Sequence, residues 1–264
     1  MVCETCPAPV DAVIPIVYFN QPITIPFSEV DNQIPDISRI DVNASMRSTF
    51  TVTDSDPPVE IVMETPSALK VSGLGHAGVA FINGSTGECL YYEYGRYDAA
   101  NFGLVRSVSA VSNITINFEE TGNPSLSSFG NLTRSLVATN GPSRPFNAVY
   151  IKLEIGSFDV MKAFCDARIS EITSREAQAY SVANNHCFTF ALEVAEQVGV
   201  NVNVAEAPDL ELRLEGGHIL TRIAILAMAP SFEVPARQMR VMQRRYTALN
   251  VDPSGSIQSS FSFP

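Results

Sequence analysis

Cys187 and His76 are the two residues whose types and positions suggest chemistry. Cys187 opens an amphipathic segment, following Asn184-Asn185-His186 and preceding FTFALEVAEQVG. His76 lies far upstream in the strand-like run GLGHAGVAFI, so the histidine precedes the cysteine in the chain. A thiolate can attack an acyl carbon while a paired imidazole carries the proton to the leaving group. The pair therefore predicts a thiol hydrolase.

The segment that begins at Cys187 is predicted to be a helix. Its apolar residues recur at helical spacing on one face, and Gly199 supplies a stop signal. These residues are Phe188, Ala191, Leu192, Ala195 and Val198. We expect Cys187 in the first turn, where unpaired N–H groups and the positive end of the helix dipole favour a thiolate over a thiol.

A β-hairpin is predicted to position His76. Strands at 75–82 and 89–97 flank the loop NGSTG, a turn signal. A turn centred in that loop places Glu93 and Tyr91 on the same face of the sheet as His76, because side chains alternate along a strand. Glu93 would then lie diagonally across from the histidine, within reach of its ring. We expect Glu93 to orient the imidazole.

Each role in a cysteine hydrolase has a candidate in this sequence. Cys187 is the nucleophile, His76 the general base and acid, and Glu93 the orienting acceptor. The backbone N–H of Cys187 is the first candidate donor to an oxyanion. Further oxyanion or substrate contacts are assigned to three side chains: Asn184, His186 and Tyr91.

Other assignments stay open. The conventional papain order places the cysteine before its histidine, and His218 in a Gly-Gly turn would then be the base. His186 is adjacent to Cys187 and would point roughly 100° away around the helix, which places it poorly as a base. Cys187 and His76 could each also be ordinary packing residues, as Cys165 is expected to be.

Composition excludes several classes of protein. The chain has 264 residues with 45% hydrophobic content, enough for a large core. A net charge of −11 argues against binding a phosphate backbone, so no nucleic-acid partner is expected. No apolar run reaches the roughly 20 residues that span a bilayer, and the N-terminus does not read as a secretory signal. The five cysteines are irregularly spaced, and no metal or cofactor is expected.

Four parts are expected along the chain: a β-rich N-terminal segment (1–68), a catalytic core (69–200), a helical extension (201–250) and a disordered tail (251–264). Within the core, residues 123–145 are predicted to hold loops and a short helix. A strand at 148–155 precedes a helix that Ser157 is expected to cap. The extension is predicted to contain a helix from Val234 to Leu249.

The motifs around the candidate residues resemble a known superfamily. GHAGVAF followed by YYEYG, and much later NNHCFTFALEVAEQVG, are similar to the circularly permuted papain-like proteins, over about residues 70–200. This superfamily includes cell-wall amidases of the NlpC type, acyltransferases of the lecithin:retinol type and secreted bacterial effector toxins. The resemblance implies an α+β fold with an antiparallel sheet packed on the catalytic helix, and His76, Glu93 and Cys187 as the triad. His186 departs from the family pattern.

Three functions follow as hypotheses. The first is a cysteine hydrolase that cleaves an amide bond. The resemblance implies that it is a peptidoglycan amidase or endopeptidase and that it acts as a type VI secretion effector toxin. Such a protein would be cytoplasmic in the producer and be delivered into the target periplasm or host cytosol. Its substrate would be a peptide or peptidoglycan, and its partner would be an immunity or adaptor protein. The second is a host-directed protease, deamidase or acyltransferase. The third is a binding protein with a structural cysteine and no enzymatic activity.

Overall fold

The computed structural model describes residues 9–18, 23–26, 49–52, 59–65, 68–72, 75–95, 97, 103–139, 144–174, 180, 185–200 and 235–264. Its larger sheet is antiparallel and six-stranded, with the spatial order β10 (Thr247–Val251), β9 (Phe146–Leu153), β1 (Asp11–Tyr18), β6 (His76–Ile82), β7 (Cys89–Gly95) and β8 (Leu104–Ser107). A four-stranded antiparallel sheet has the order β2 (Ile23–Pro26), β5 (Ala68–Ser72), β4 (Val59–Thr65) and β3 (Thr49–Val52). The helices are α1 (Ser109–Ser112), α2 (Leu126–Thr139), α3 (Ser157–Ser174), α4 (Cys187–Glu196) and α5 (Pro235–Arg245).

Both faces of the six-stranded sheet are covered by apolar layers. On one face, α3, α4 and α5 contribute side chains such as Met161, Phe190 and Met242 to a shared core with Val79 and Tyr94 of the sheet. On the other face, α1 and α2 pack against the opposite side chains of the same strands. The strand DAVIPIVY of β1 is buried along its whole length because it lies between these two layers. The expected α+β fold, with an antiparallel sheet and packed helices, is observed.

The sheet draws strands from beyond the core predicted at 69–200. Strand β1 comes from the N-terminal segment and lies between β9 and β6, and β10 comes from the C-terminal extension. A division of the chain at residue 68 would therefore cut through one sheet. The predicted helix at 234–249 ends earlier, at Arg245, because Leu249 and Val251 are buried as part of the pairing with β9. Residues 201–234 lie outside the described part.

The C-terminal tail was expected to be disordered, and this prediction is wrong. Phe261 and Phe263 pack against Phe129 and Tyr150, with ring centroids 5.1–5.8 Å apart. Asp252 organises the preceding turn by accepting hydrogen bonds from two backbone N–H groups through Oδ1. The aromatic contacts offset the low hydrophobicity of the serine-rich segment.

Two other local predictions are corrected. The segment at 123–145 contains a 14-residue helix, α2, whose buried face includes Phe129, Leu132 and Leu136. At the start of α3, the Phe158 N–H donates to Asp11 Oδ2 over 2.9 Å. A carboxylate from β1 therefore satisfies a donor of the first turn, the role expected of Ser157.

Candidate active site

The hairpin of β6 and β7 brings His76 and Glu93 together as its register predicted. Gly78 lies opposite Glu93, and His76 is two residues before Gly78 on the same face. The Nε2 atom of His76 lies 3.5 Å from Oε2 of Glu93. The diagonal arrangement expected from the centred turn is therefore observed.

Glu93 is fully buried and held by several donors. The Tyr97 hydroxyl donates to Oε2 over 3.0 Å, and Arg106 donates to the same oxygen from Nε at 3.0 Å and Nη2 at 2.6 Å. The Tyr97 hydroxyl also lies 3.3 Å from Nε2 of His76. Because that hydroxyl donates to Glu93, it can accept from His76, which places a proton on Nε2. The carboxylate thus fixes both the orientation and the tautomer of the ring.

Tyr91, which the sequence suggested as an oxyanion or substrate contact, lies beside Glu93 in the structure. Its side chain is fully buried, and its hydroxyl donates to Glu93 Oε1 over 2.8 Å. The ring lies over Gly78, where an added Cβ would come within 2.3 Å of the Tyr91 hydroxyl oxygen. The Tyr91 hydroxyl therefore binds the second carboxylate oxygen of Glu93, Oε1.

Helix α4 places Cys187 at its first residue, as its apolar spacing predicted. Phe190 and Tyr94 have ring centroids 6.0 Å apart, so the helix packs against β7. The Asn185 amide also donates to the Tyr94 hydroxyl over 2.9 Å. These contacts secure the turn before Cys187 next to the strand that carries Glu93.

His186 is the N-cap of helix α4. Its Nδ1 accepts from the backbone N–H groups of Phe188 at 3.2 Å and Thr189 at 3.4 Å. The Thr189 hydroxyl accepts from the His186 N–H over 2.8 Å, completing a capping box. Sequence reasoning assigned His186 to the oxyanion and missed this capping role. The other oxyanion candidate, Asn184, lies outside the described residues.

Cys187 and His76 lie close enough to shift each other's pKa. Burial disfavours the thiolate, but the neighbouring rings of His186 and His76 outweigh it and lower the pKa of Cys187 from 9.0 to about 5. Burial likewise disfavours the charged ring, but hydrogen bonds to Cys187 and Glu93 raise the pKa of His76 from 6.5 to about 9. Between these values the pair is a thiolate and an imidazolium.

The other described cysteines have the opposite character. Burial raises the pKa of Cys89 to about 12, and it raises the pKa of Cys165 further. Both thiols are therefore protonated at neutral pH and unreactive. Among the cysteines that the structure describes, Cys187 alone has a depressed pKa.

Access to the site is restricted in this conformation. Cys187 is 1% exposed and His76 is 8% exposed. Both side chains are therefore almost fully covered. Within the described ranges, no three His, Cys, Asp or Glu side chains gather as a metal site would require.

Two residues of the site were missed from the sequence. Arg106 and Tyr97 both contact Glu93, although neither forms part of a motif. Arg106 stands directly opposite Glu93 on β8. Only the pairing of β7 with β8 reveals that position, because the intervening chain separates the two residues by 13 positions.

The fold is that of a secreted bacterial effector. A crystal structure of the type VI secretion system effector TseH matches with a TM-score of 0.57 and 20% identity, covering 94% of this chain and 97% of that chain. At the level of sequence, the family model for TseH-like type VI secretion system effectors matches residues 13–201, and the chain belongs to this family. The matched range contains His76, Glu93 and Cys187. Comparison with curated proteins gives no match.

Family membership supports delivery into target cells, the destination of type VI effectors. Among the helices that the structure describes, none is both long and apolar enough to cross a membrane.

Proposed function

We propose that the protein is a cysteine hydrolase that cleaves an amide bond through Cys187, His76 and Glu93. The observation that carries the proposal is the contact between Cys187 and His76, which lowers the pKa of the thiol and raises that of the ring. A structural cysteine in an apolar core would show the opposite shift, as Cys89 does. The ordering of His76 by Glu93 supplies the third role.

The chemistry follows from the positions of the ring nitrogens. Nε2 of His76 faces Glu93 and Tyr97, which leaves Nδ1 for the sulfur. The Cys187 thiolate attacks the amide carbon, and the imidazolium gives its proton to the leaving amine as the C–N bond breaks. His76, now neutral, takes a proton from water, which attacks the thioester and releases the carboxylic acid. The proton and the thiolate are thereby restored.

The substrate that we propose is a peptide amide in peptidoglycan. Support comes from the resemblance of the His76 and Cys187 motifs to permuted papain-like amidases of the NlpC type, and from membership of a type VI effector family. On this proposal the protein acts in the periplasm of the target cell, and the producer protects itself with an immunity protein. A secretion adaptor is a further expected partner.

The proposal is tested by incubating the purified protein with peptidoglycan sacculi and separating the released muropeptides by mass. We expect release by the wild type and by Cys89→Ala, a matched control at a buried thiol outside the site. Cys187→Ala and His76→Ala should each abolish release, and the double variant should be little worse, because the two residues act as a unit. Release by Cys187→Ala would refute the proposal.

A substrate other than peptidoglycan is the outcome if sacculi stay intact while toxicity still depends on Cys187. The protein would then be a protease, deamidase or acyltransferase acting on a protein or lipid of the target cell. If Cys187→Ala keeps full toxicity and Cys187 shows no preferential alkylation at neutral pH, the protein is a binding module. The low exposure of Cys187 makes the alkylation experiment informative, because it also tests whether the site opens.

A further inference from the structure

Arg106 lies outside the proposed triad but contacts its third member. It stands opposite Glu93 across β7 and β8, and two of its nitrogens lie 3.0 and 2.6 Å from Oε2 of the carboxylate. The Arg106 side chain is 45% exposed, whereas that of Glu93 is 0% exposed. The guanidinium therefore joins a buried carboxylate to the protein surface.

Tyr97 holds the guanidinium in place. The Cζ atom of Arg106 lies 3.8 Å from the centroid of the Tyr97 ring, a cation–π contact. The hydroxyl of the same ring donates to Oε2 of Glu93 over 3.0 Å. Arg106 and Tyr97 thus both donate to Oε2 of Glu93, and the same oxygen lies 3.5 Å from Nε2 of His76.

The charged groups of the site alternate in sign. The lowered pKa of Cys187 and the raised pKa of His76 favour a thiolate beside an imidazolium. His76 Nε2 lies 3.5 Å from Oε2 of Glu93, and Arg106 Nη2 lies 2.6 Å from the same oxygen. Without the last member, the buried carboxylate would act on His76 with its full charge. An uncompensated anion favours the protonated ring and so opposes return of its proton.

We propose that Arg106 is a positioning residue that balances Glu93, so that Glu93 orients His76 without holding the ring proton too tightly to be transferred. The inference rests on the proposed function, since it assigns a role within the same site. Other titratable groups face this cluster from the elements packed around it: Tyr18 on β1, Tyr91 on β7, Tyr97 after β7, and His186 at the N-cap of α4. Burial raises the pKa of Tyr91 and of Tyr97, so these two phenols stay neutral through the range of the experiment.

The experiment follows the His76 ring by NMR during a pH titration, which requires no substrate. The chain has three histidines, so single His→Asn variants assign the ring signals. Arg106→Gln removes a positive charge and should raise the midpoint of His76 by about one pH unit. Glu93→Gln removes a negative charge and should lower it. The double variant should return the midpoint toward the wild-type value, and Arg106→Lys, which keeps the charge, should leave it nearly unchanged.

The sign of the shift separates balancing of charge from simple support of the fold. If Arg106 only kept the Glu93 side chain in position, its loss would weaken the contact of Glu93 with His76. The midpoint of the His76 titration would then fall or stay unchanged. Either result overturns the inference, as does a double variant that fails to return toward wild type. Arg134→Gln, at an arginine on α2, is the matched control and should change nothing. A wild-type His76 that titrates near 6.5 would instead refute the ion pair and the proposed function.

Discussion

Replacing His76 with asparagine should raise the pKa of Cys187 and shift it from thiolate toward thiol. With a pKa lowered to about 5, Cys187 is mainly a thiolate at pH 7, whereas a thiol at the ordinary value of 9.0 is mainly protonated. His76→Asn removes the favourable effect of the His76 ring on the thiolate, while burial continues to oppose the thiolate and the effect of His186 remains. We expect the midpoint of Cys187 ionisation to rise by at least about one pH unit and the fraction of thiolate at pH 7 to fall.

The assay is the ultraviolet absorbance of the thiolate as pH is raised, taken as the difference between each protein and its Cys187→Ser counterpart. This measurement does not depend on access to the buried sulfur. His218→Asn serves as the control, because His218 is the base in the alternative papain order. If His218→Asn moved the midpoint and His76→Asn left it within about half a pH unit of wild type, the assignment of His76 would be refuted.

Three further predictions concern the supports of the site and of the sheet. Glu93→Gln should lose less amide hydrolysis than Glu93→Ala, because an amide oxygen can still accept from His76; equal rates for Glu93→Ala and wild type would move the third role elsewhere. Asp11→Ala should lower the free energy of unfolding, measured in urea, by about 3 to 5 kcal/mol. The Asp11 carboxylate is 1% exposed, and it accepts hydrogen bonds from the backbone N–H groups of Gly84, Gly156 and Phe158. A loss under about 1 kcal/mol would contradict that account. Gly78→Ala should lower the free energy of unfolding by about 1 to 3 kcal/mol and slow hydrolysis, because the new Cβ displaces the Tyr91 ring that holds Glu93; unchanged stability and rate would show that Tyr91 adjusts freely.

The parts of the fold that the sequence predicted are those with local signals. The loop between β6 and β7 sets its own register, so the proximity of His76 and Glu93 followed from counting residues across one turn. Helix α4 was recognised from its apolar spacing. By contrast, the serine, asparagine and glycine residues of α2 are weak helix formers, and its stability comes from burying Phe129 and Leu132 against the sheet.

Pairing between distant strands could not be predicted in the same way. The place of β10 beside β9 depends on partners about a hundred residues away, so its residues looked like the end of a helix. The contact of Arg106 with Glu93 similarly requires the chain to return along β8 after residues 96–103. Charged residues in an alternating strand usually face solvent, and nothing local distinguishes Arg106 from such a residue.

The two histidines beside Cys187 have different hydrogen-bonding roles. Nδ1 of His186 accepts from two backbone N–H groups, so that nitrogen cannot carry a proton while the cap is intact. His76 instead lies between the thiolate and Glu93, two groups that favour its charged form. A histidine at an N-cap is therefore compatible with the site, because it replaces the usual serine or asparagine as an acceptor. In the proposed mechanism, His76 is then the ring that transfers the proton.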